Sequence, residues 1–277
     1  MTTLTTSSPI VARPLRDALT MVRRDLRRLL RYPSLTLLLV AMPVVFLLLF
    51  VLVFGGTLGA GLGGAPEVGT AGGTGREAYL TYVLPGILMM TLAAAAQGTA
   101  ITVAMDMTQG IVARFRTMSI ARGAVLTGHV VGSMLQSLVA VVVVVLVAVL
   151  LGYRPSGSPA DLLGAVLVLM VIAFAFVWLC VALGMAARTV ESASNTPMFL
   201  TLLPFLSSGF VPTAAMPGWL AAFAQYQPFT PMTETVRGLL AGTPVAGADL
   251  AAAVGWSLAI AALGYWWARS RYERLPA

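Results

Sequence analysis

Lysine is absent from this 277-residue chain, so its net charge of +7 at pH 7 rests on arginine alone. Without a lysine there is no Walker A loop, because that loop needs the ammonium to hold nucleotide phosphates. Any ATP chemistry must then reside on another chain. A single cysteine, Cys180, excludes an internal disulfide. The only histidine, His129, cannot build a multi-ligand metal site, and its position before an apolar run reads as structural or interfacial. Acidic residues are few and scattered, so spacing reveals no acid–base pair. Charged residues make up only 10% of the chain and hydrophobic ones 58%, with a mean hydropathy of +0.91. These values lie far from those of soluble domains and predict an all-α integral membrane protein. Cleavage of a leader is not expected, since the first apolar run follows a polar, Arg-rich stretch and is one of several.

The arginines cluster beside the apolar runs, which favours membrane topology over nucleic-acid binding. In residues 14–31, Leu15, Leu19, Val22, Leu26 and Leu29 recur at helical spacing, with Arg16, Arg23, Arg24, Arg27, Arg28 and Arg31 between them. This pattern predicts an amphipathic helix lying in the headgroup plane. Six apolar segments, at about 34–54, 82–105, 125–151, 162–187, 196–210 and 250–268, approach or exceed the length that crosses a bilayer. Pro85 is expected in the first turn of the second, where proline is tolerated. Pro197 and Pro204 make the fifth short. Residues 216–242 carry Trp219, Tyr226, Glu234 and Arg237 and are too interrupted to cross in one piece. They predict one or two short helices that re-enter part-way, shielded by other helices.

Six crossings put both termini on one side. Arginines of the N-terminal region, of the 106–122 segment, Arg188 and the C-terminal Arg269, Arg271 and Arg274 all fall on that side, whereas only Arg76, Arg154 and Arg237 fall opposite. The positive-inside rule therefore places both termini and residues 106–122 in the cytoplasm. The centres of the six expected spans hold no Asp, Glu or His, the relays that proton-coupled transporters keep in the membrane. Gln97 and Gln136 are the polar side chains expected between helices.

Residues 106–122 read DMTQGIVARFRTMSIAR, and at Asp106, Gly110, Arg114, Phe115, Arg116, Met118, Ile120 and Arg122 they resemble the signature after the second span of type-2 ABC exporter permeases of the daunorubicin/doxorubicin-resistance branch. A second stretch resembles the same family before its last span, at Phe210, Pro212, Met216, Pro217, Trp219, Gln227, Pro228, Thr230, Arg237 and Gly242. Ser119 departs from the pattern by standing where proline is usual, and His129 stands where a basic residue is common.

The resemblance implies a single transmembrane domain with residues 14–31 as an elbow helix (Arg23, Arg24, Arg27 and Arg28). It also implies a coupling helix over 106–122 seated in a separate ABC ATPase, which would bind ATP and magnesium. In that segment Phe115 and Met118 are spaced to form an apolar knob, and Arg114, Arg116 and Arg122 to meet acidic groups or lipid phosphates. Further implications are a second permease copy, no catalysis or cofactor in this chain, and a place in the plasma membrane. The cargo implied is a lipophilic drug-like or antibiotic molecule, and the pathway is expected between spans one, two and five. Export of a lipid or glycan is the alternative within this class; a polytopic membrane enzyme or a scaffold is the alternative outside it. An enzyme would need polar groups clustered at one interface.

Overall fold

The computed structural model describes residues 23, 33–57, 75–110 and 124–274. Among them the architecture is all-helical, and five helices are long and apolar enough to cross a membrane. The first is α1, described over Pro33–Leu49. It continues through a π-helical turn at Phe50–Phe54.

The central element is α2 (Arg76–Thr108), the most buried of the five. It packs against α1, α3 (Ala124–Leu150), α4 (Pro159–Ala186) and several of the short helices that follow α4. Four alanines from Ala93 to Ala96 and Gly98 let those neighbours approach closely. The helix begins six residues before the expected 82, so Pro85 lies in its interior rather than in the first turn. At that place proline denies the carbonyl of Thr81 its helical donor. At the other end Gly110 has φ +68 and its N–H bonds the Met107 carbonyl at 3.2 Å, a left-handed stop that glycine adopts without a Cβ clash.

A capping box starts α4: the Ser158 hydroxyl accepts from the Asp161 N–H while the Asp161 carboxylate accepts from the Ser158 N–H. The last long helix, α9 (Gly247–Glu273), lies chiefly along α4. The lipid-facing sides are apolar: Val131, Leu135, Val139, Val142, Leu146 and Val149 of α3 are exposed, at helical spacing. Hydrocarbon is the solvent such a stripe requires.

The expected fifth span, 196–210, is not a continuous helix. It follows α5 (Val190–Asn195) as α6 (Met198–Leu202), a 3₁₀ turn at Leu203–Leu206 and an irregular turn over 207–210. Pro197 and Pro204 are the cause, since each removes a helical donor and clashes with the preceding turn. The fragments nevertheless travel along α2. At one end the Gln97 amide donates to the Ser194 carbonyl at 2.7 Å, and at the other the Tyr82 hydroxyl donates to the Ser208 carbonyl at 2.8 Å. Gln97 and Tyr82 are separated by about 22 Å at helical rise, most of a hydrocarbon core.

The 216–242 region forms two short helices, α7 (Gly218–Tyr226) and α8 (Phe229–Ala241), which meet at Gln227 and Pro228. Phe46 and Phe50 of the first span pack on Phe205 and Phe210, with the last two stacked at 4.5 Å. That aromatic cluster fills the junction of the first span with the broken segment.

Candidate functional site

Two polar centres lie at opposite ends of α2. One end carries Asp106, in the last helical turn and only 2% exposed. Its Oδ2 lies 3.2 Å from Nε2 of His129 on α3, which is buried too. A carboxylate at the negative end of a helix is disfavoured by the macrodipole, so a neighbour able to take positive charge offsets that position. Nearer the middle of the helices, the Thr99 hydroxyl donates to Ser133 Oγ at 2.7 Å. Asp106 is therefore buried beside α3. Gly110 ends α2 and launches the segment that follows. The remaining expected coupling residues, Arg114, Phe115, Arg116, Met118, Ser119 and Arg122, lie outside the described residues. Of the expected elbow arginines only Arg23 is described, helical and exposed; Arg24, Arg27 and Arg28 lie outside.

The other end gathers residues far apart in sequence. Arg237 of α8, 8% exposed, donates from Nη2 to the Ser208 carbonyl at 2.8 Å and to the Tyr82 carbonyl at 3.2 Å. Its Nη1 pairs with Glu234, one turn earlier. The guanidinium also stands over the Tyr82 ring, 4.1 Å from the centroid. Such a planar, always-charged fork suits simultaneous carbonyl bonding and stacking in a way a lysine would not. Alongside, the Ser208 N–H donates to Thr230 Oγ1 at 3.3 Å, and the Gln227 amide donates to the Leu206 carbonyl at 2.6 Å.

Gln227, Thr230, Glu234 and Arg237 thus converge on the turn that interrupts the fifth segment, with Pro228 opening α8 beside them. Pro217 and Trp219 do not join them: Pro217 opens α7, and Trp219 is 77% exposed. The loop between α3 and α4 packs at this same end, where the Gly157 N–H bonds the Leu240 carbonyl at 3.2 Å. Burial there pushes the Tyr153 hydroxyl up to about 12, so it stays protonated at any ordinary pH.

Sequence reasoning missed three members. Tyr82 reads as an interfacial aromatic, His129 as structural or interfacial with no partner assigned, and Ser208 attracts no notice. A signal existed for Ser208, because Ser207 and Ser208 are a polar pair inside an apolar run already broken by prolines. Both centres are contacts that pack helices together. Among the described residues no cluster of His, Cys, Asp and Glu could hold a metal ion.

Residues 16–241 match the family model described as ABC-2 type transporter. Over 236 residues, 85% of this chain and 78% of the relative, the sequence is 31% identical to the daunorubicin resistance ABC transporter permease protein DrrB1 of Streptomyces coeruleorubidus. It is 26% identical over 172 residues, 61% of this chain and 62% of the relative, to the probable doxorubicin resistance ABC transporter permease protein DrrC of two Mycobacterium tuberculosis strains.

Proposed function

Because the chain belongs to the ABC-2 type transporter family, we propose that it is the membrane subunit of an exporter that removes a lipophilic, drug-like molecule from the cytoplasm or inner leaflet. The observation that carries this reading is the likeness, over most of both chains, to a daunorubicin resistance permease. Long helices lined with aliphatic side chains support an apolar cargo.

ATP and magnesium belong to a separate ATPase subunit in this reading, and two permease copies act together. Residues 106–122 couple them, with Arg114, Phe115, Arg116, Met118 and Arg122 facing the ATPase. Asp106 and Gly110 play a different part, fixing where the segment leaves α2. The 14–31 helix lies in the interface. Residues 196–210 complete a sixth crossing in pieces, the route along α2 from Gln97 to Tyr82 supporting this count. Both termini are then cytoplasmic, and α7 and α8 re-enter from the opposite face of the plasma membrane. The pathway runs between spans one, two and five, where Phe46, Phe50, Phe205 and Phe210 now close it.

Co-expression with an ABC ATPase from the same genomic neighbourhood, followed by reconstitution, tests the proposal. The two should co-purify, and an anthracycline should stimulate ATP hydrolysis and be moved in an ATP-dependent way. A complex that assembles but responds only to a lipid or glycan would refute the drug reading; no association with any such ATPase would refute the transporter reading. Within the complex, Arg114→Glu combined with Phe115→Ala should abolish assembly or transport. Intact assembly and transport would remove the coupling role from this segment.

A further inference from the structure

The Arg237 centre is unusual in how incompletely it is paired. Its Nε–H is buried without a hydrogen-bond partner among the described residues, and the same holds for Ser208 Oγ, Gln227 Oε1 and, one turn before Arg237, Thr233 Oγ1. Buried polar groups are paired in the great majority of cases, since each orphan forfeits its hydration for nothing. Here the orphans gather where α2, the 207–210 turn and α8 meet, around a charged group whose other two nitrogens are engaged. A half-satisfied network is a poor device for stability, because an apolar core would do better. It suits a contact that exchanges partners.

Two features make the exchange mechanically simple. The Ser208 carbonyl receives both Tyr82 Oη and Arg237 Nη2, so one acceptor joins the turn to α2 and α8 at once, beside the Ser208–Thr230 and Gln227–Leu206 bonds. Next to it the turn meets α2 glycine to glycine: a Cβ on Gly86 would lie 2.7 Å from the Gly209 carbonyl oxygen. No side chains interlock at that glycine contact, and the Phe210 ring on Phe50 and Phe205 is the packing the turn must also release. The tie also sits on the helix that carries Asp106 at its far end, about 36 Å away at helical rise.

We propose that Arg237 is the positioning residue of a latch that holds the 207–210 turn against α2 and closes the pathway on the side opposite the ATPase. Opening transfers the Arg237 donors from the Tyr82 and Ser208 carbonyls to groups that are unpaired in the closed form. The assignment of side and pathway rests on the transporter reading above; the latch itself does not need the ATPase to be tested.

Ser208→Cys supplies the probe. The Ser208 hydroxyl makes no hydrogen bond among the described residues, the residue is 4% exposed, and the native Cys180 is fully buried and so silent. In the full-length permease in liposomes, a membrane-impermeant maleimide should label the introduced thiol slowly. Adding Arg237→Gln should raise that labelling about tenfold or more, as loss of charge-assisted hydrogen bonds allows. Arg237→Lys keeps the charge but cannot bridge both carbonyls and stack on Tyr82; it should give the same rise in direction, and it carries the test if the glutamine variant fails to assemble. In the complex, trapping the ATP-bound state should expose the same thiol without any change at Arg237. Labelling that neither variant alters overturns the latch, whether or not the ATPase binds. Labelling that rises in the variants while wild-type ATP-dependent transport is absent upholds the latch and refutes the transporter reading.

Discussion

Asp106 and His129 show what one pair of side chains contributes and why sequence alone could not pair them. Each looks isolated: a carboxylate near the end of one apolar run, an imidazole near the start of the next. The distance of 3.2 Å between them is set by the packing of α2 on α3, which no local pattern encodes. Because both are buried, removing one takes a close polar contact from the other, at a cost of about 1–3 kcal/mol. Asp106→Ala and His129→Ala should each lower the stability of the purified permease by that amount, and the double variant by less than the sum. The interaction energy from the cycle should exceed about 0.5 kcal/mol. Strict additivity in thermal unfolding would show that the pair is a mere juxtaposition. Arg237 is the opposite case. Its place beside a proline-broken run was legible as a motif, yet its partners, two backbone carbonyls and a tyrosine face, depend on how α8 folds back onto α2.

At the scale of elements, hydropathy sufficed for the long helices and misled where proline intervenes. Four expected spans, at 82–105, 125–151, 162–187 and 250–268, correspond to α2, α3, α4 and α9, which differ from them mainly at the ends. The early start of α2 escaped notice because its first turn is polar, carrying Arg76 and Glu77. The expectation of one or two short helices over 216–242 corresponds to α7 and α8. The fragmentation of 196–210 exceeds what a short helix implies, because Pro197 and Pro204 act within a few residues of each other. That fragmented strip depends on close backbone approach. Gly86→Ala would force a Cβ to within 2.7 Å of the Gly209 backbone, which cannot rotate away. It should destabilise by about 1–3 kcal/mol. Gly98→Ala meets chiefly the Leu39 Cδ1 at 2.5 Å, the far end of a flexible side chain, and should cost less. Thermal denaturation of the two variants side by side checks the order; a reversal would mean that the Gly86–Gly209 contact does not constrain the fold.

For the whole molecule, the contacts sort the described loops into two groups. Tyr82, the loop between α3 and α4, the 207–210 turn and the end of α8 meet at one pole. Asp106, the start of α3, the end of α4 and α5 meet at the other: a Cβ on Gly184 would lie 2.6 Å from the Ala100 carbonyl oxygen, and Gln97 reaches Ser194. In the proposed topology the arginine distribution puts the second pole in the cytoplasm, a line of reasoning from charge that is independent of the packing. The packing carries the chain from α5 beside Gln97 to Ser208 beside Tyr82, although no single helix takes it there. The consequence is testable with single cysteines, since Cys180 is buried. Ala246→Cys, exposed just before α9 and beyond the 196–210 segment, should react with an impermeant maleimide added outside intact cells. Glu191→Cys, exposed on α5, should react only after permeabilisation. Reaction of both from the same face would mean that residues 196–210 turn back without crossing. The termini would then lie on opposite sides, and the ATPase-facing role of residues 106–122 would lose the support of the arginine bias.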